Sequence, residues 1–188
     1  ASTASGQDPE MGYPELARIL RRAGVSENDV NASDARELFK RLVFNILIDN
    51  TDDHEKKHSL LVVNPGGFAQ FRLAPAYDVL PSNSGQGFQE FICGDDLNVS
   101  TLANAMTQTQ AFGLTQAQAA VLVVEVIGVV NTWREHFASL GVAQADLESL
   151  AERIDGEELK SQRDSFDSAN YQQARTRPSR RSPFQQKR

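Results

Sequence analysis

Asn50-Thr51-Asp52-Asp53-His54-Glu55-Lys56-Lys57 and, beyond residues 58 to 76, Tyr77-Asp78 place acidic side chains at both ends of an apparent β-hairpin. Two carboxylates separated in this way suit phosphoryl transfer. That reaction asks little covalent work of a protein and depends on positioning and on neutralising charge. One aspartate must accept a hydrogen bond from the attacking hydroxyl. A second must hold a divalent cation against the phosphates. The two acidic groups of this chain occur in the order that this chemistry needs.

The elements that must position these acids follow from the surrounding pattern. Ser33, Asp34 and Glu37 supply capping chemistry for a helix running to about Asn50. Leu38, Phe39, Leu42, Val43, Phe44, Ile46, Leu47 and Ile48 cover more than one face of it, as expected of a helix buried on most sides. It delivers residues 50 to 57 directly out of the core. Ser59 to Asn64, a Pro65-Gly66-Gly67 turn and Phe68 to Leu73 read as a hairpin. Ala74 to Pro81 is an extended, proline-bracketed strip, Pro81 to Gly87 a flexible loop, and Phe88 to Cys93 a short strand. Upstream, Tyr13-Pro14-Glu15-Leu16 opens a short helix that Gly24 closes. Downstream, Ser100 caps a helix to about Ala111, Thr115 caps one through Trp133 to Leu140, and residues 143 to 154 form the last.

Composition sets the outer bounds. A chain of 188 residues with 40% hydrophobic and 23% charged residues is an ordinary globular domain with enough length for a core. One cysteine, Cys93, excludes an internal disulfide and a zinc cluster and fits a reducing, cytoplasmic setting. No apolar run reaches the roughly 18 residues expected of a membrane span, so no membrane partner is expected. Residues 160 to 188 hold eight Lys/Arg against two Asp, a net of +6; the rest hold 11 against 23 Asp/Glu, a net of −12. An acidic body does not suit nucleic-acid binding except through the tail. The expected organisation is a linker over 1–12, one domain over 13–156, and a basic, disordered tail over 157–188.

Neither His-Arg-Asp nor Asp-Phe-Gly is present, yet a catalytic-loop Asp, a hairpin and a second Asp follow the order found in protein kinases. Leu38-Phe39-Lys40-Arg41-Leu42-Val43-Phe44-Asn45, Asn50-Thr51-Asp52-Asp53-His54 and Leu73-Ala74-Pro75-Ala76-Tyr77-Asp78-Val79 resemble the C-terminal lobe of the HipA family of bacterial toxin-type serine/threonine kinases. The resemblance runs from about Tyr13 to Ile154. It implies a mainly α (α+β) fold, a kinase-like helical C-lobe with a small β-hairpin at the catalytic face. It further implies Asp52 as catalytic proton acceptor, and His54, Glu55, Lys56 and Lys57 along the phosphates of ATP. Tyr77 and Asp78 would complete the nucleotide site, with Asp78 the ligand of Mg2+. The implied partners are an N-terminal kinase lobe, encoded in the same gene or as a separate chain, a small DNA-binding antitoxin and a protein substrate.

Two residues depart from the family pattern. Lys57 stands where the family has an asparagine, and an ammonium donates hydrogen bonds but cannot ligate a cation. Asp49 stands where a glycine is usual, and adds negative charge near the nucleotide. No glycine-rich phosphate loop precedes Tyr13, so the chain alone is expected to be inactive. A catalytically degenerate kinase-fold interaction module therefore stands as the alternative. Plainer readings are a solvated loop at Asp52-Asp53-His54, a structural His58 and His136, a core Trp133, an unreactive Cys93, and a bonded Tyr77 with Asp78 capping a turn.

Overall fold

The structure, a computed structural model, describes residues 11–63, 68–82 and 84–172. Among these residues it is mainly helical, with seven α-helices and one two-stranded antiparallel sheet. Helix α1 spans Tyr13–Ala23, with Pro14 in its first turn, Glu15 at its positive end and Arg21 and Arg22 at its negative end. Its buried side, Tyr13, Leu16, Ala17 and Leu20, packs on α2. Gly24 follows because a Cβ there would lie 2.2 Å from the Leu20 carbonyl oxygen. The Gly24 N–H donates to that same oxygen at 2.8 Å.

Helix α2, Val30–Leu47, is the central element. Leu38, Phe39, Leu42, Val43, Ile46 and Leu47 are fully buried, each contributing about 1.5–3 kcal/mol by leaving water. The helix begins three residues before the expected Ser33 cap, and Asp34 is not a cap. Its carboxylate is buried and accepts from Arg72 Nε at 2.8 Å, Arg72 Nη2 at 3.1 Å and the Leu73 backbone N–H at 2.9 Å. An acid placed like a cap is thus a staple joining α2 to the sheet.

Strands β1, Leu60–Val62, and β2, Phe71–Leu73, pair in the register Leu60 with Leu73 and Val62 with Phe71. The hairpin is as expected; its Pro65-Gly66-Gly67 turn lies outside the described residues. The expected strand over 88–93 is not formed. That stretch makes only isolated bridges, Phe88 with Val99 and Ile92 with Gly12, and it still alternates, burying Gln89, Phe91 and Cys93.

Helix α3 is a single turn, Leu102–Ala105, capped by Thr101 rather than Ser100. Helix α4, Gln116–Val130, starts at a reciprocal capping box in which Thr115 Oγ1 accepts from Gln118 N–H and Gln118 Oε1 accepts from Thr115 N–H. The expected single helix to Leu140 is broken. Asn131 and Thr132 turn the chain, and α5, Trp133–Ser139, leaves at 44°. The Thr132 hydroxyl donates to the Val129 carbonyl at 2.9 Å, competing with helix continuation, and Asn131 Oδ1 accepts from Arg163 Nε at 3.0 Å, tying the bend to a later segment. The bend buries Trp133, whose Nε1 donates to Asp155 at 3.1 Å. Among the described residues no single helix is long and apolar enough to cross a membrane; only the bent pair α4–α5 meets that test by length and composition.

Helix α6, Gln144–Ile154, matches expectation. The tail boundary at residue 157 does not. Residues Glu157–Ser165 form a further helix, α7, followed by a 3-10 turn at Ser168–Tyr171. Leu159 is buried, and so is Arg163, which donates to Asn131, to the Ile154 carbonyl at 2.6 Å and to Asp155 at 3.1 Å. A charge-rich composition concealed a structural arginine. Residues 173 to 188, the Arg-rich end of the expected tail, lie outside the described residues, as do residues 1 to 10 of the expected linker.

Candidate functional site

Helix α2 ends on the buried residues Ile46 and Leu47, with buried Ile48 just past its end, and the chain reverses at Asp49 in a left-handed conformation, φ 60°. The Asn50 N–H returns to the Asn45 carbonyl at 2.9 Å. Asp49 is buried. Its carboxylate accepts from Arg153 Nε at 3.1 Å and the Gly85 N–H at 3.3 Å, so the extra negative charge expected beside a nucleotide is matched within the fold. The supposedly flexible 81–87 loop is bonded to the acidic segment. Ser82 Oγ accepts from the N–H groups of Thr51 and Asp52 at 2.9 and 3.1 Å, and Ser84 Oγ lies 2.8 Å from Thr51 Oγ1.

The two neighbouring aspartates have opposite environments. Asp53 is buried at 1% exposure and receives the Tyr13 hydroxyl on Oδ2. His58 Nε2 meets its Oδ1 at 3.0 Å. Asn45 Nδ2 donates to the Tyr13 oxygen at 2.8 Å, and Asn50 Nδ2 to Asn45 Oδ1 at 3.3 Å. Burial, and then the adjacent Asp53 charge, push the Tyr13 phenol well above its ordinary range, so it stays a donor. The His58 ring stacks on Phe91 with centroids 4.9 Å apart. Asp53 is thereby a structural anchor, and His58 is structural as expected.

Asp52 instead projects outward, its side chain 62% exposed. Lys57 lies at the end of a 3-10 turn, Glu55–Lys57, which His54 caps by accepting from the Lys56 N–H at 3.3 Å. That turn folds the Lys57 side chain back. Its Nζ is 2.6 Å from Asp52 Oδ2 and 3.0 Å from Asp78 Oδ2, so a single ammonium joins the acids from both sides of the hairpin. Hydrogen bonding to Lys57, and then its charge, hold the Asp52 carboxyl below the usual aspartate range. The Asp52 hydrogen bond raises the Lys57 ammonium in turn, against desolvation and with help from Asp78.

Asp78 sits at φ 52°, a left-handed conformation that costs most L-residues about 1–2 kcal/mol and that Asp and Asn tolerate best. Tyr77 fixes the strip beside it, donating to the Lys56 carbonyl at 2.7 Å with Ser59 Oγ also at 2.7 Å. Tyr77 is therefore a strut between the two acidic segments. Glu55 and Lys56 point to solvent.

Beside this cluster lies an open cleft of about 570 Å³ between α2 and α4, within the size range of small-molecule sites. Lys57, Tyr77 and Asp78 line it, with Asn45, Asn50, Asp53 and His58 at its base and Phe44, Val79, Val126 and Val129 as apolar walls. Asp52, His54, Glu55 and Lys56 do not line it. Sequence reasoning missed the Tyr13–Asn45–Asp53 network. A tyrosine and an asparagine on otherwise buried apolar helix faces were its visible signals, since such groups need partners.

A divalent ion does not fit the acid pair as it stands. Magnesium needs near-octahedral oxygen ligands at about 2.0–2.1 Å, and the space between Asp52 and Asp78 is taken by a donor-only ammonium. Among the described residues no group of three or more His, Cys, Asp or Glu side chains could hold a metal.

No curated protein matches the chain. Residues 1–134 match the HipA-like C-terminal domain, which takes in α1 through α4, the hairpin and both acidic segments and ends at the start of α5. The match covers well over half of the sequence, and the chain belongs to the family of HipA-like C-terminal domains.

Proposed function

We propose that this domain is the C-terminal lobe of a HipA-type serine/threonine kinase, working with an N-terminal lobe to transfer the γ-phosphoryl group of ATP to a protein hydroxyl. The observation that carries this reading is the meeting of Asp52 and Asp78, from opposite ends of the hairpin, on one cation, Lys57, which together with Asp78 lines a cleft. Asp52 accepts the proton of the attacking hydroxyl as its oxygen bonds to the γ-phosphorus. The bond from that phosphorus to the β–γ bridging oxygen breaks, and ADP leaves. Lys57 and Asp78 set the charge beside the transferred group, and Tyr77 holds their relative position. A cytoplasmic setting, a small DNA-binding antitoxin and a protein substrate belong to the same reading.

The test is transfer of labelled γ-phosphate to protein by the kinase that contains this domain. Asp52→Ala is expected to lower the rate by at least about 100-fold, the usual scale for losing a proton-transfer group. An unchanged rate in that variant removes Asp52 from the chemistry.

A second reading has its own observation. Both carboxylates are already engaged by Lys57, as befits a kinase fold kept for binding a partner rather than for catalysis. No transfer by the wild-type protein, with nucleotide or partner binding retained, would establish that alternative.

A further inference from the structure

We propose that Lys57 is the built-in cation of the Asp52–Asp78 pair and takes the place of a divalent ion there. Three features of the fold support it. The first is that the contact is double: a lysine that merely drifted over the surface would meet one acid, whereas Nζ lies 2.6 Å from Asp52 and 3.0 Å from Asp78. The second is that the side chain is held. It is 10% exposed, although its partners are 62% and 53% exposed, so the stem is enclosed while the acids face water. The third is that local backbone structure fixes both partners of the contact. The Lys57 N–H closes the 3-10 turn on the His54 carbonyl at 2.9 Å, and Asp78 adopts its left-handed conformation with Tyr77 pinned to Lys56.

A dication entering between these carboxylates would have to displace the ammonium or lie against it, and like charges at contact distance repel strongly. With Lys57 in place the three side chains sum to one negative charge; with a dication between the acids alone they would sum to zero. An ammonium has three N–H donors; this one hydrogen-bonds Asp52 and pairs with Asp78 at 3.0 Å, and among the described residues no other acceptor takes it. Remaining donor capacity can serve an oxygen in the cleft that Lys57 lines. On the phosphoryl-transfer reading, and resting on it, that oxygen belongs to a phosphate.

Manganese titration of the full chain, followed by paramagnetic broadening of backbone amides at 52–58 and 77–79, tests the proposal without nucleotide. In the wild type these amides are expected to show no saturable broadening beyond that of Asp78→Asn. Lys57→Asn, which removes the ammonium and supplies an amide oxygen, is expected to gain a site at least about tenfold tighter than any in the wild type. Lys57→Asn combined with Asp78→Asn is expected to lose it. Saturable broadening in the wild type that Asp78→Asn abolishes would overturn the proposal, and so would a folded Lys57→Asn variant with no gain. If Lys57→Asn does not fold, wild type against Asp78→Asn decides alone. Failure of Asp52-dependent phosphate transfer leaves this metal titration untouched, so the two ideas fail separately.

Discussion

Asp52 and Asp53 are adjacent in sequence and differ in every physical respect. Asp53 is buried among a tyrosine, a histidine and apolar rings, and its carboxylate is consumed by structure. Asp52 is exposed, and among the described residues Lys57 is the charged side chain that binds it. The direction of its shift fixes a pH dependence. Its folded carboxyl titrates below the ordinary aspartate value, so the pair's contribution is present above the ordinary range and is lost as pH falls through the lowered folded value. For Lys57, raised in the folded protein, the contribution is full below the ordinary lysine value and is lost as pH rises through the folded one. Replacing Lys57 by Met is expected to raise the Asp52 titration toward the ordinary aspartate range, as read by carbon NMR titration of the Asp52 carboxyl. An unchanged curve would mean that the ion pair does not persist in solution. That Lys57 breaks a family pattern was legible in sequence. That it grips both acids was not, because Asp78 reaches it only through the pairing of β1 with β2.

At the scale of elements, local signals succeeded where the deciding groups lie within a few residues of one another. Pro14 and Glu15 start α1, Thr115 and Gln118 start α4, and the β-branched and aromatic residues flanking the turn form the hairpin. Errors arose where a side chain is used at long range. Asp34 looks like a cap but binds Arg72 and the Leu73 N–H. The run Glu157–Ser165 looks like solvated tail but carries Arg163 into the interior. Arg163→Ala would leave the Ile154 carbonyl and the Asn131 oxygen short of a donor and would unfasten α7 from the α4–α5 bend. The expected cost is about 1–3 kcal/mol, measured by urea denaturation. A midpoint matching the wild type would show that α7 adds nothing to the stability of the domain.

For the molecule as a whole, one core runs from α1 through α2 to α4 and reaches beneath the acidic loop by way of Phe91 and Cys93. Burial, and then the nearby Asp53 charge, push the Cys93 thiol far up, and its Sγ lies against Gln89. Thiolate is therefore scarce in the native state at any ordinary pH. Reaction with a thiol reagent at pH 8 is expected to be slow in native protein and immediate in denaturant, with a native rate that tracks global opening. Fast native labelling would show that the floor of the site opens independently of the core. The sequence by itself determined the helical character, the hairpin and the placing of two acidic segments at its ends, because periodicity, capping and turn chemistry act over a few neighbouring residues. Only the tertiary structure decided which aspartate is buried, that Asp49 is neutralised by Arg153 from 104 residues away, and that one ammonium sits between Asp52 and Asp78. Those outcomes depend on the partners that packing brings within about 3 Å, the range over which hydrogen bonds form, and that is a property of the folded chain rather than of any stretch of it.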